Sequence, residues 1–288
     1  MASVFLRAGY VYDSRYYVTF TGRYDGSSKF GTNNKWGFFP SVSASWNITG
    51  EEFMQSQNVI NNLRLRVGYG LAGNQNIPNY GYQTLYDVRA TLGTSALINW
   101  GRYGNPDLRW EKQKQINVGL DYGMFNDRLS FTLDLFHIDN EDLLMTISKS
   151  PSSGYLDQLA NVGTLRNRGI EFSINATPIR TKDWNLTLLA NLAHNRNKIV
   201  KIAESLKAYN DKVDAFFSDP ANSNTQVASK SYKKYSEGVS QNAIWAMKSL
   251  GIDPATGEEL FQNPDGTVTK YWNSANPVSY THLTLPTI

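Results

Sequence analysis

The sequence predicts an all-β chain, a partial transmembrane antiparallel β-barrel with long extracellular loops, and three observations carry that prediction. Windows that alternate apolar and polar residues number about eight, each of ~9–11 residues, the length a tilted strand needs to cross a bilayer. The connections between them sort into short and long, as in outer-membrane barrels, whose periplasmic turns are short and extracellular loops long. Aromatic residues make up 13% of the chain, with 17 Tyr and 7 Trp, an excess that fits interfacial girdles and sugar-binding surfaces alike.

In chain order, Val4–Tyr12 and Arg15–Asp25 make a first hairpin on Asp13-Ser14, with Val18 and Phe20 opposite Thr19, Thr21 and Arg23. Asp25-Gly26 suits a tight positive-φ turn. Tyr24, Phe30, Trp36, Phe38 and Phe39 crowd the strand ends, where aromatic rings prefer a water–lipid boundary. Ser41–Ile48 places Val42, Ala44 and Trp46 on one face and Ser41, Ser43, Ser45 and Asn47 on the other. The intermediate link Thr49–Asn61 has room for one helical turn at Glu51–Met54. Asn62–Ala72 alternates Leu63, Leu65, Val67, Tyr69 and Leu71 with Arg64, Arg66, Gly68 and Gly70. Gln113–Met124 and Arg128–Ile138 form a hairpin on Asn126-Asp127, with Asp121 and Asp134 on their polar faces. Gly169–Pro178 and Trp184–Asn195 continue the pattern, and weaker strands fall near Ile244–Lys248 and Thr267–Trp272. The long links are Gly26–Phe38, Gly73–Lys112, Asn140–Arg168 and roughly Lys198–Ser240; they are assigned to the outside of the cell.

Composition excludes several classes. The chain is 41% hydrophobic, its mean hydropathy is -0.43, and no long apolar run occurs, so helical membrane spans are excluded. A net charge of +3 from 28 basic and 25 acidic residues leaves no footprint for nucleic acid. With 0 Cys there are no disulfides and no thiolate metal sites. Met1-Ala2-Ser3-Val4 leads directly into a strand without a secretory leader, which for an exported chain suggests a fragment. At the other end, Val278–Ile288 reads back into codons as a transposase-end adapter, so 278–288 is expected to be a non-native tail on a barrel segment spanning 1–277.

Chemical motifs are thin. Gly68-Tyr69-Gly70-Leu71-Ala72-Gly73 fits a dinucleotide fingerprint, but Asn74–Asn79 contains Pro78 and cannot open the helix that would receive a pyrophosphate, so the small residues are read as facing a crowded neighbour. His137, His194 and His282 lie apart, with no nucleophile elbow, and no catalytic residue, cofactor or metal site is expected. Asp253–Glu259 lacks a Ca²⁺-loop ladder and reads as a Pro-Gly hairpin tip. Asn140–Asp142 and the basic Lys230–Lys234 run read as solvated loop faces. Trp100, Arg102, Tyr103 and Trp110, all in the longest loop, are the candidate substrate contacts, since exposed rings beside planar polar groups stack on sugars or peptide side chains. Loop packing or contact with a lid is the alternative for the same residues.

The wording of five segments carries a resemblance: Arg23–Trp46 (RYDGSSKFGTNNKWGFFPSVSASW), Leu63–Ile77, Asn105–Phe136, Asn161–Ile179 and Gly251–Phe261. In this order they resemble the barrel of SusC/RagA-type TonB-dependent outer-membrane transporters. The resemblance implies a segment of a large plugged barrel in the Gram-negative outer membrane, importing oligosaccharides or peptides. It implies TonB, engaged through regions outside this chain, a SusD-like lipoprotein and outer-membrane lipid as partners. It also implies a polar lumen, for which Arg64, Arg66, Asp121 and Asp134 are the candidate lining residues. The competing readings are a soluble all-β glycan-binding domain, whose apolar faces would need a second sheet to pack on, and a siderophore-type receptor.

Overall fold

The computed structural model describes residues 1–85, 87–91, 94–98, 102–148, 151–155, 157–218, 235–246, 248–262, 266–270 and 278–280. Trp100, the Lys230–Lys234 run, residues 271–272 and residues 281–288 of the expected tail lie outside them. Two compact units are present, Met1–Asn197 and Lys198–Ile288.

The first unit contains β1 (Ala2–Tyr12), β2 (Tyr16–Gly26), β3 (Trp36–Asn47), β4 (Ile60–Asn74), β5 (Asp87–Thr91), β6 (Thr94–Ile98), β7 (Glu111–Met124), β8 (Leu129–Glu141), β9 (Leu144–Ser148), β10 (Asp157–Asn161), β11 (Thr164–Arg180) and most of β12 (Asn185–Lys201). Eight of these form one open sheet in the order β1-β2-β3-β4-β7-β8-β11-β12. Each neighbour comes from the next long strand in sequence, so the wall is an up-and-down meander. The hairpins β5–β6 and β9–β10 sit within the links Gly73–Lys112 and Asn140–Arg168.

Register turns the period-2 pattern of each strand into rows across the sheet. One row reads Tyr10, Val18, Ala44, Val67, Val118, Leu135 and Ile170. Val67 and Leu135 in that row are 45% and 47% exposed, and no second sheet covers them among the described residues. An apolar face left open over seven paired strands is what lipid requires, and what a soluble sandwich would have to bury. The opposite face is polar, with Thr19, Ser43, Arg66, Asp121, Asp134 and Ser173.

Short turns close the hairpins at one end of the sheet. Asp13 and Ser14 sit at φ 48 and 51, and the Arg15 amide donates to the Tyr12 carbonyl at 3.1 Å. Phe125, Asn126 and Asp127 form the β7–β8 turn, all at positive φ. Asn and Asp tolerate this conformation through local side-chain hydrogen bonds. The link from β3 to β4 holds two short 3₁₀ turns, Ile48–Gly50 and Glu52–Met54, in place of the single turn expected.

Three expectations need correction. Asp25 and Gly26 do not turn; they stay in β2, paired with Gly37 and Trp36. The glycine is needed for space, since a Cβ there would stand 2.6 Å from the Trp36 ring, which itself stacks on Tyr24 at 5.0 Å. Phe30 and Phe39 are buried among loops rather than placed at a lipid boundary, whereas Tyr24, Trp36 and Phe38 are exposed. The wall strands also run past the bilayer-crossing minimum, β11 and β12 reaching 17 residues each, so the links are shorter than expected.

The second unit contains α1 (Glu204–Ser218), β13 (Ile244–Ala246), β14 (Lys248–Ile252), β15 (Glu259–Gln262), β16 (Val268–Thr269) and β17 (Val278–Tyr280). The helix falls in a link read from sequence as loop. Its start is fixed by the Glu237 carboxylate, which accepts from the Ile202 amide at 3.2 Å and faces Lys207 at 3.4 Å. β14, β15 and β16 form a small sheet, and β13 pairs with β17. Asp253–Gly257 is the expected hairpin tip: Gly257 has φ 71, and Asp253 accepts from the Ala255 amide and the Thr256 hydroxyl, both at 2.9 Å.

Candidate functional site

At the end of the sheet away from the short turns, the described residues of the links 27–35, 75–110 and 142–163 fold onto one another. Pairing of β3 with β4 stops at Ser41–Gly70, beside Pro40, which has no N–H to donate. Beyond that point the Phe39 ring lies against Gly37 and Gly73, where a side chain would collide with it. Phe39 joins Phe30, Ile77, Leu108, Trp110 and Leu159 in a buried cluster flanked by Leu71, Tyr82 and Leu144. The Trp110 ring lies 5.1 Å from Phe30 and 5.4 Å, edge-on, from Phe39, and its indole N–H donates to the Lys35 carbonyl at 3.1 Å.

Polar ties finish this cap. Asn161 accepts from the Arg109 amide at 2.9 Å and donates to the Arg109 and Asp142 carbonyls at 2.8 Å. Arg109 donates to Asp142 at 2.6 Å, a bond that raises the guanidinium above its ordinary pKa. The Asn105 amide group donates to the Leu159 carbonyl at 3.0 Å.

The candidate contacts read from sequence separate here. Trp110 is 4% exposed, so the packing role left open beside the substrate role is the one it plays. Arg102 and Tyr103 remain at the surface of the cap. Arg102 faces Asp157 at 3.8 Å, and the Tyr103 amide donates to the Asp157 carbonyl at 3.2 Å. The Tyr103 ring is 43% exposed and lies 5.0 Å from the Tyr155 ring at 54°. Gln158 donates to the Gly104 carbonyl at 2.9 Å. Tyr155, Asp157 and Gln158 come from a different link and were not singled out in the sequence, because only the folded chain brings 102–104 beside 155–158. The exposed Tyr103 and the pair Arg102–Asp157 offer an aromatic edge beside charged hydrogen-bonding groups, a combination suited to a hydroxyl- or amide-rich ligand.

Three of the four polar-face candidates, Arg66, Asp121 and Asp134, come together, while Arg64 packs elsewhere on the same face. Arg66 grips Asp121 with two bonds of 2.9 Å and reaches Asp134 at 3.2 Å, so one guanidinium spans three strands. Gly119 lies between them in the row, and a Cβ there would stand 2.5 Å from Asp134 Oδ1 and 2.7 Å from the Arg66 guanidinium carbon. Only a residue without a side chain allows this bridge. Arg64 stands 5.9 Å above the Tyr17 ring.

Beside this cluster Ser41, Ser43, Gly68 and Gly70, with Gln113, Gln115 and Asn117 among the lining residues, border a shallow depression of about 270 Å³. The glycine-rich motif is continuous strand to Asn74, and residues 75–85 after it are not helical. His137 is engaged structurally: its Nδ1 accepts from Arg168 Nε at 2.9 Å and its Nε2 faces Asp139 at 3.2 Å.

At the short-turn end Glu51 draws together the β2–β3 edge. Its carboxylate accepts from the Tyr16 hydroxyl at 2.7 Å, the Trp46 indole at 2.9 Å and Arg15 at 2.8 Å. Those donors, Tyr16 first, hold the Glu51 carboxyl below its ordinary pKa.

Comparison with known proteins gives consistent relatives. Residues 1–280 match the family model described as TonB dependent receptor-like, beta-barrel. The TonB-dependent receptor P3 of Formosa agariphila is 34% identical over 278 residues, covering 92% of this chain and 27% of that protein. The TonB-dependent receptor SusC of Bacteroides thetaiotaomicron is 38% identical over 210 residues, covering 70% of this chain and 21% of that protein. The chain thus spans about a quarter or less of these relatives. A solved structure of the RagAB peptide transporter superposes with a TM-score of 0.81 at 32% identity, covering 97% of this chain and 29% of that one.

Proposed function

The chain belongs to the TonB-dependent receptor β-barrel family, and from that premise we propose that it forms part of the barrel wall of a transporter that imports oligosaccharides or peptides together with a SusD-like lipoprotein, powered through TonB. The family is one of Gram-negative outer-membrane transporters, not enzymes, so the work of this segment is to span the membrane and shape a pathway. The observation that carries the reading is the agreement of nearly the whole chain with one wall segment of the RagAB peptide transporter. SusC among the relatives keeps oligosaccharide beside peptide as the cargo class.

In this reading the polar face lines the lumen. Arg66, Asp121 and Asp134 brace three wall strands there while offering charge to passing cargo, and Arg64 joins them on the same face. The capped loops face the cell exterior, where Tyr103 and Arg102 are the contacts offered to arriving substrate. Trp110 supports them from beneath by packing the cap.

Growth of a deletion strain on panels of oligosaccharides and oligopeptides tests this, combined with purification of the native gene product from outer membranes. The expected result is loss of growth on one polymer class and co-purification of a SusD-like lipoprotein. Unimpaired growth on every member of both panels would overturn the reading.

A further inference from the structure

We propose that the lipid-facing side of β7, β8 and β11 carries a binding site for the phosphate groups of outer-leaflet lipid, built by Lys112, Lys114, Arg166 and Arg168. The inference rests on the membrane orientation above, with the long links outside the cell, and not on the identity of the cargo.

The argument starts from the register. Val118, Leu135 and Ile170 form a row on the apolar face. One row nearer the long links come Ile116, His137 and Arg168; the next holds Lys114, Asp139 and Arg166; the last pairs Lys112 with Glu141. Within two steps the face that touches hydrocarbon becomes fully ionic. That is the depth at which outer-leaflet headgroups lie against a barrel.

Charge within the patch is not balanced. Four cations face two carboxylates, and the carboxylates are committed. Asp139 takes two bonds from Arg166, at 2.7 and 2.8 Å, and faces His137. Glu141 takes the Lys114 ammonium at 2.7 Å. Arg168 donates Nε to His137 Nδ1 at 2.9 Å, and it makes no ion pair with a carboxylate among the described residues. Lys112 is exposed and makes no ion pair among the described residues.

A ladder of ion pairs serving only solvation would be neutral. This one leaves a guanidinium fork and an ammonium at the lipid boundary, and a planar fork beside a point charge is the donor set that phosphate oxygens accept. The other half of the sheet supplies the contrast. At its loop end the same face of β2 and β3 presents Tyr24, Phe38 and Trp36, exposed aromatic rings without cations.

The test uses the native gene product purified from outer membranes and lipid extracted from the same membranes, either intact or enzymatically dephosphorylated. Bound lipid is counted after detergent exchange, by mass spectrometry. The Lys112→Gln/Arg168→Gln variant leaves the Arg166–Asp139 and Lys114–Glu141 pairs intact, and Lys112→Arg/Arg168→Lys keeps the charge as a folding and charge control. The expected result is that the parent retains intact lipid about tenfold better than dephosphorylated lipid, and that the Gln variant loses this preference while the charge-keeping variant preserves it. Equal retention of the two lipids by the parent, or an undiminished preference in a Gln variant that resists heat like the parent, overturns the proposal. Cargo uptake is a separate readout, so failure of the lipid site would leave the transport reading standing.

Discussion

Two regions of the same sheet, β1–β3 on one side and β7, β8 and β11 on the other, bear apolar faces of similar height at different levels along their strands. On β2 the face runs from Tyr16 near the short turns to Tyr24 near the long links. On β11 it runs from Ala176 to Ile170, and Ile170 shares a row with Val18 of β2. Relative to the rows, the face on β11 stops six residues earlier at the loop end and extends four residues further at the turn end, as read from this register.

Strand tilt explains the slide. Rows run perpendicular to strands, so in a barrel whose strands tilt ~35–45° a row climbs through the bilayer as it crosses the wall. Five strand steps at ~4.8 Å and a tilt of ~40° displace a level band by ~20 Å along the strands, about six residues. The side chains therefore encode the direction of tilt as well as the two faces. The ionic rows on β7–β11 and the aromatic ends of β2 and β3 occupy one boundary reached at different rows.

The strongest challenge to this contrast is a charge at mid-depth on the apolar face. Leu133→Arg, at a position paired with Leu120 and Phe172, is expected to destabilise the assembled wall by about 2–4 kcal/mol, whereas Ser130→Arg on the polar face of the same strand costs about 1 kcal/mol or less. Urea titration of the native gene product in bilayers, followed by heat-modifiable gel mobility, measures both. Equal losses would deny that the faces differ.

Next comes the brace that ties β4, β7 and β8 and has no counterpart on β1. Arg66→Leu leaves Asp121 and Asp134 as diagonal neighbours on adjacent strands with no cation between them, and about 1–2 kcal/mol of stability is expected to go, a figure discounted for partial exposure of the guanidinium. The same titration checks it, and Asp134→Asn in the Arg66→Leu background should return part of the loss.

Smaller still is the aromatic boundary of β2 and β3. Tyr24→Ala should cost about 0.5–1.5 kcal/mol beyond its lost area through removal of the stack on Trp36. A double-mutant cycle with Trp36→Ala measures the coupling.

The mildest effect is a pH dependence at the turn end of the same half. Glu51 has its folded pKa below the ordinary 4.5, so its contribution is present above that value and is lost as pH falls through the lower folded value. Glu51→Gln should lower stability near neutrality and flatten the profile below pH ~4.5, so that the two proteins converge in acid. Parallel profiles for the two proteins in acid would remove Glu51 from the account.

What the sequence showed and what it hid divide along local and non-local physics. Alternation of apolar and polar residues is local, so Leu129–Leu135 and Leu63–Tyr69 were legible as two-faced strands, as was the β7–β8 turn at Asn126-Asp127. Asp25-Gly26 misled because the glycine answers to the Trp36 ring on the neighbouring strand, which its own dipeptide does not record. Phe30, Phe39 and Trp110 look alike in sequence to Trp36 and Phe38, yet three are buried by residues from distant links and two are not. The Tyr155–Asp157 side of the cap was hidden for the same reason. The helix Glu204–Ser218 escaped a search for period-2 segments because it obeys another period.

The most direct test of the account is the depth of Val18 and Ile170, which share a row but are separated by the tilt of the wall. The chain has 0 Cys, so single cysteines at these positions in an otherwise cysteine-free gene product can carry spin labels whose depth is read from oxygen and nickel-chelate accessibility in bilayers. The account predicts that Ile170 sits about 15 Å nearer the outer surface than Val18, level with Tyr24. Equal depths for Val18 and Ile170 would contradict it.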